Sequence, residues 1–183
     1  MGSSTTPSRH AELWDSIFIT DPRATKAYNT GRFQGTDITP MWIVRQLTRT
    51  FGPVGVGWGV KVLEEKTVDL GKEVMHQAHI GLWYYPEGRT ATAPAQSDAP
   101  PAVVEAIGAA PYLKQEKNGA HVDDDAPKKS MTGALKRAAS YIGFGADVHM
   151  GFHDRDAWKR KALAHYKDDD DAEVKKMQKE FPG

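Results

Sequence analysis

The sequence contains no cysteine. That excludes a disulfide framework, a thiolate zinc site and a cysteine nucleophile, and it makes a cytoplasmic-type compartment the default expectation. An excess of charge is missing too, with 24 Lys and Arg against 24 Asp and Glu in 183 residues. A protein that coats nucleic acid through bulk charge is usually more basic, so a polyanionic partner here needs locally gathered cations. No apolar run approaches the roughly 20 residues of a membrane-spanning helix, and the mean hydropathy is −0.57. The start, MGSSTTPSRHAELWD, shows no basic-then-apolar secretory pattern. Neither a membrane nor a secretory route is expected.

What is present suits one modest core. Hydrophobic residues make up 39% of the chain, and the length predicts a single domain. Residues 1–10, rich in Ser and Thr, read as a disordered leader, and 167–183 as a charged tail that frays. Between them, 11–20 predicts a short helix or strand stopped by Asp21-Pro22, and NTGRFQGTD at 29–37 predicts a Gly-punctuated loop. Asp37 or Thr39 as N-cap, with Pro40 at the first helical position, opens a helix that Phe51-Gly52-Pro53 closes. Ile43, Val44, Leu47 and Phe51 fall on its apolar face, with Arg45 and Arg49 opposite, near Trp42. Alternation over 58–68 and 73–85, with Gly71 between, predicts an antiparallel hairpin. Residues 86–127, dominated by Pro, Ala and Gly, read as a strand starting near Arg89 followed by a variable insertion or loop. A second helix starts at Asp125 and Pro127, runs its stripe through Met131, Leu135, Ala138 and Ile142, and ends at Gly143 and Gly145. One more helix is expected near 157–166. The fold class that results is α+β, an antiparallel sheet packed against helices.

Catalytic signatures are weak. His149, His153, Asp154 and Asp156 have metal-ligand chemistry, but Gly151 interrupts any shared helix face and no HExxH pattern is present; a solvated turn is the simpler reading. His76 and His79 point to opposite faces of one strand. Consecutive carboxylates at Asp123–Asp125 suit the positive end of the following helix. Neither GxxxxGK nor GxSxG occurs. No catalytic residue, metal or cofactor is expected.

Binding signatures are stronger. Lys128, Lys129, Lys136 and Arg137 occur with no acid among residues 128–137. Lys129 and Lys136 project within about 20° of each other, and Arg137 about 100° further round. Arg45 and Arg49 form a second pair, and Trp83, Tyr84 and Tyr85 supply flat rings. Cations that track phosphates, with aromatic groups nearby, are what a sequence-tolerant single-strand site requires.

Two blocks carry a likeness. IVRQLTRTFGPVGVGWGVKV at 43–62 has a helix, then Phe-Gly, then Gly-Trp opening a strand. DDDAPKKSMTGALKRAASYIGFGADVHMGFHD at 123–154 is similar to a K-A-x-T-D-A-hydrophobic-K-R-A-L-x-x-hydrophobic-G helix. With ITDPRATKAYNTGRFQGTDI at 19–38, they make the chain resemble, over most of 14–160, the phage single-strand annealing proteins of the superfamily that includes the eukaryotic recombination protein Rad-fifty-two.

The resemblance implies a β-β-β-α core, a homo-oligomeric ring or helical filament, and ATP-independent annealing of single-stranded DNA. It also implies a phage exonuclease or a host single-strand binding protein as a working partner. It maps Lys136 and Arg137 into the DNA groove, with Lys128 and Lys129 upstream. Three positions depart from the pattern: Gly133 stands where the family often has Asp, Ser140 replaces a basic residue of the eukaryotic branch, and Trp42 replaces an Arg. Arg45 and Arg49 are placed to compensate. Readings from other classes are a passive single-strand binder or protein-interaction module, and a metal-dependent nuclease built on the Asp and His clusters.

Overall fold

The computed structural model describes residues 9–29, 31, 34–89, 100–116 and 119–166. Most of the expected leader and all of the expected tail lie outside that set, although Arg9 and His10 already begin a helix. Helix α1 spans Arg9–Ile17 and gives way to a 3-10 turn at Pro22–Ala24, where the Asp21 carboxylate accepts the Arg23 amide at 2.9 Å. Strands β1 (Thr25–Asn29) and β2 (Gln34–Ile38) then pair antiparallel. The loop expected over 29–37 is therefore mostly hairpin: Gly31 lies between the two strands, whereas Gly35 sits within β2 opposite Tyr28.

Helix α2 spans Pro40–Phe51, as its caps predict. Ile43, Leu47 and Phe51 are fully buried, and so, nearly, is Trp42. Trp42 thus belongs to the core rather than to the cationic side. Phe51 stacks at 4.6 Å on Tyr84 and meets Phe144 edge-on at 5.9 Å.

The main sheet is antiparallel, in the order β3-β4-β5-β6: Trp58–Asp69, Glu73–Tyr84, Ala102–Glu116 and Gly119–Val122. The predicted hairpin is β3–β4, turning at Gly71 with φ +84°. On β4 the alternate side chains of Ala78, Ile80 and Leu82 are fully buried, the period of a strand covered on one face.

Strand β5 corrects the reading of 86–127. Arg89 itself lies in the turn after β4, its amide donating to the Phe51 carbonyl, and the strand expected to start near it falls on residues 90–99, outside the described set. The Ala- and Gly-rich stretch is a 15-residue strand instead. Its small residues answer to the helix above it. A side chain at Gly108 would overlap the Ser130 carbonyl and the Ala134 amide of helix α3 (Ala126–Ile142). Pro111 is tolerated where the β4–β5 register shifts between Val74 and Met75.

Helix α3 lies across β4 and β5. Its buried line is Ala126, Ser130, Ala134, Ala138 and Ile142, whereas Met131 and Leu135 of the predicted stripe are only half-buried. Close approach to the sheet favours small residues at the contact and pushes the larger ones to its flank. Gly143 (φ +126°) and Gly145 (φ +74°) end α3 as predicted. A one-turn helix α4 (Ala146–His149), a 3-10 turn (Phe152–Asp154) and α5 (Asp156–His165) complete the chain. Together these elements form an α+β fold.

Candidate nucleic-acid interface

The two helices that carry the predicted cations share one core, in which Ile43, Leu47 and Phe51 of α2 meet Ala138, Ala139 and Ile142 of α3. Their charged faces point outward. Arg45 and Arg49 are exposed on α2, as are Lys128, Lys129 and Arg137 on α3. Lys136 is different: its side chain retains 15% of its accessible surface and its ammonium donates to Asp37 at 2.5 Å.

The run 128–137 is therefore not free of acids in space. Asp37 arrives from β2, and Asp123, just before α3, accepts from Lys129 at 2.5 Å. That hydrogen bond raises the Lys129 pKa and lowers that of Asp123. A charge count along the chain cannot register either partner. Asp125 is the N-cap residue, but without a side-chain cap bond; it is the Asp123 carboxylate that takes the Asp125 amide, at 3.1 Å.

The three consecutive aromatics divide between two faces, because neighbouring strand residues point oppositely. Tyr84 packs inward on Phe51, and burial raises its pKa. Trp83 lies over Gly59 and meets Tyr85 edge-on at 6.2 Å. The Arg89 guanidinium sits 3.3 Å from the Tyr85 ring centroid, a cation–π stack. The trio is not one platform, but Trp83, Tyr85 and Arg89 form a smaller one.

A pocket of about 300 Å³ opens at the C-terminal end of α3, lined by Trp14, Ser140, Tyr141, Ala146, His149 and Met150. Trp14 reaches it from α1, held by Phe18 at 6.1 Å and seated beside Gly143. Burial lowers the His149 pKa, and the charges of Lys136 and then Arg137 lower it further, against an opposing pull from Asp37. The imidazole is consequently neutral near pH 7 and lies within the field of the α3 cations. Nothing in the sequence pairs Trp14 with this corner; the one local hint was Tyr141, a helical turn beyond Arg137.

The structure does not bring the histidine and aspartate cluster together. His153 lies fully buried rather than on a solvated turn. Its Nε2 is 2.9 Å from Asp147, a carboxylate that also accepts from the Thr20 amide at 3.0 Å, the Thr20 hydroxyl at 2.5 Å, the Val148 amide at 2.9 Å and the Trp158 indole at 2.9 Å. Burial alone would raise the Asp147 pKa, but the donors from His153, Thr20 and Trp158 outweigh it and lower the pKa. His153 Nδ1 has no partner among the described residues. Asp154 turns to Thr36 at 3.2 Å. On β4, His76 contacts Ser130 of α3 at 2.7 Å and His79 contacts Glu105 at 2.9 Å, on opposite faces as predicted. Among the described residues no group of three His, Asp or Glu side chains is placed to hold a metal ion, and no helix is long and apolar enough to cross a membrane.

No family model matches the chain, and no curated protein matches it either.

Proposed function

We propose that the protein binds single-stranded DNA and anneals complementary strands without nucleotide hydrolysis, working as a homo-oligomeric ring or filament. The observation that carries this reading is the set of cations exposed along α3, Lys128 and Arg137, with Lys129 also exposed although paired with Asp123. Arg45 and Arg49 on the packed neighbour α2 extend the set. The sequence blocks that resemble phage annealing proteins fall on α2–β3 and on α3, the elements that carry these cations.

Chemically, cations hold the phosphates of an extended strand and leave bases free to test a second strand. Pairing then supplies the driving force, about 1.4 kcal/mol per base-pair step, so no ATP is required. A neutral chain manages this because each copy adds a small basic patch, and alignment of copies strengthens the local field. Lys136 takes a supporting part, since Asp37 already neutralises it and the fold covers it.

The test is a mixing assay with complementary labelled oligonucleotides, run without ATP, alongside sizing of the free and DNA-bound protein. Accelerated pairing that fails in Arg137→Ala plus Lys128→Ala supports the reading. A strictly monomeric protein indifferent to oligonucleotides at low ionic strength refutes it. Binding without acceleration assigns a passive single-strand binder, and loss of intact labelled strand with Mg²⁺ or Mn²⁺ assigns a nuclease.

A further inference from the structure

We propose that the pocket between α1 and the end of α3 receives one unstacked nucleobase of a bound single strand, with Arg137 taking an adjoining phosphate. The inference rests on the reading of the chain as a single-strand binder and adds to it a place where a base, rather than the backbone, is recognised.

The lining fits such a guest. Trp14 and Tyr141 offer ring faces and Met150 a polarisable thioether, while Ser140 and His149 are the polar side chains. Tyr141 is 58% and Met150 53% exposed, so both are open to a guest. A volume of about 300 Å³ is at the small end of ligand sites, enough for one flat heterocycle and too small for a folded segment. Charge complementarity selects a nucleotide over a neutral aromatic. Arg137 precedes Tyr141 by one helical turn on the same face, and it is exposed. His149 stays neutral beside it, so its ring is a stacking surface that also donates and accepts a hydrogen bond. Base–aromatic stacking beside a phosphate-binding cation tolerates any base, as annealing of arbitrary sequence demands. One base held per copy sets the register of the strand and leaves its neighbours free to pair.

The experiment compares an oligothymidine strand with the same strand made abasic, by fluorescence anisotropy at low ionic strength. The wild type should bind the base-bearing strand about tenfold more tightly. Tyr141→Ala should remove that preference and leave the abasic affinity unchanged, Tyr141→Phe should keep it, and Arg137→Ala should weaken both strands. If Tyr141→Ala weakens both strands equally, or neither, the base pocket is refuted. If the wild type binds neither strand, the single-strand reading itself fails, and a second measurement still decides on the pocket. With methyl-labelled methionine, identified through Met150→Leu, thymidine should shift the Met150 resonance and deoxyribose 5-phosphate should not. No shift with thymidine, a shift with the sugar phosphate alone, or a shift that follows protein concentration (a second copy filling the pocket) overturns the proposal.

Discussion

Replacing Gly108 and Gly133 by alanine, one at a time, should move stability in opposite directions. The two glycines face each other where α3 lies on β5, and a Cβ built on Gly133 would sit 3.9 Å from the Gly108 Cα, an ordinary van der Waals distance. Gly133 is inside a 17-residue helix, where Ala is favoured over Gly by about 1 kcal/mol. For a chain of this size that should raise the melting temperature by roughly 2–4 °C. At Gly108 the intrinsic preference also favours Ala, by roughly 0.5–1 kcal/mol. There, however, the methyl group meets the Ser130 carbonyl and the Ala134 amide. These are backbone atoms of a hydrogen-bonded helix and cannot swing aside, so α3 must lift from the sheet. Overpacking of this kind costs typically 1–3 kcal/mol, which outweighs the gain. Urea denaturation followed by far-ultraviolet circular dichroism reads both changes, and an unchanged slope shows that the midpoints report stability. A Gly108→Ala variant at least as stable as the wild type would mean that α3 does not rest on β5 as described.

Acid should destabilise the protein in two stages. Protonation of His149 is penalised in the folded state, so its contribution is complete above about pH 6.5 and declines below that. The Asp147 pKa is also lowered on folding, so its contribution is present above about pH 3.9 and is lost as pH falls through the folded value. Equilibrium melts from pH 8 to pH 2 should show both stages; His149→Gln should abolish the upper one, and a flat profile would contradict the assignments. Asp147→Ala leaves buried donors on His153, Thr20 and Trp158 without their acceptor and should cost about 3–5 kcal/mol, measurable by the same urea titration; a loss under 1 kcal/mol would speak against the network. Lys136→Ala should cost about 1 kcal/mol through its pair with Asp37, whereas Arg137→Ala should leave stability within about 0.5 kcal/mol. In the salt dependence of single-strand affinity, Arg137→Ala should reduce the slope by about 0.7; an unaltered slope removes Arg137 from the phosphate contacts.

Local rules exposed much of the fold to sequence reading. Pro40 with its four-residue apolar spacing marked α2, Gly71 between alternating runs marked the β3–β4 hairpin, and Gly143 marked the end of α3. Signals that depend on a partner were hidden. Ala106, Gly108 and Ala110 look like loop composition until α3 is laid over them, because their size is dictated by a helix some twenty residues later in the chain. The same close approach made α3 bury Ser130 and Ala134 in preference to Met131 and Leu135. The candidate site followed this division. Helical spacing set Lys129 and Lys136 close together with Arg137 further round, but Asp37, which neutralises Lys136, lies 99 residues away. Trp14 and His149, still further apart in the chain, line one pocket, and His153 looked solvated because nothing in its neighbourhood announces Asp147 as the centre of five donors.

That carboxylate fastens both ends of the described chain. Thr20, just after α1, and Trp158, on α5, both donate to its Oδ2, and Tyr166 closes the corner by donating to the Ile19 carbonyl at 2.6 Å. Trimming from either terminus past these residues pulls on one knot, so shortened versions should fail together rather than by degrees. Trp14 hangs upstream of Thr20, and the wall it gives the pocket is only as steady as that knot.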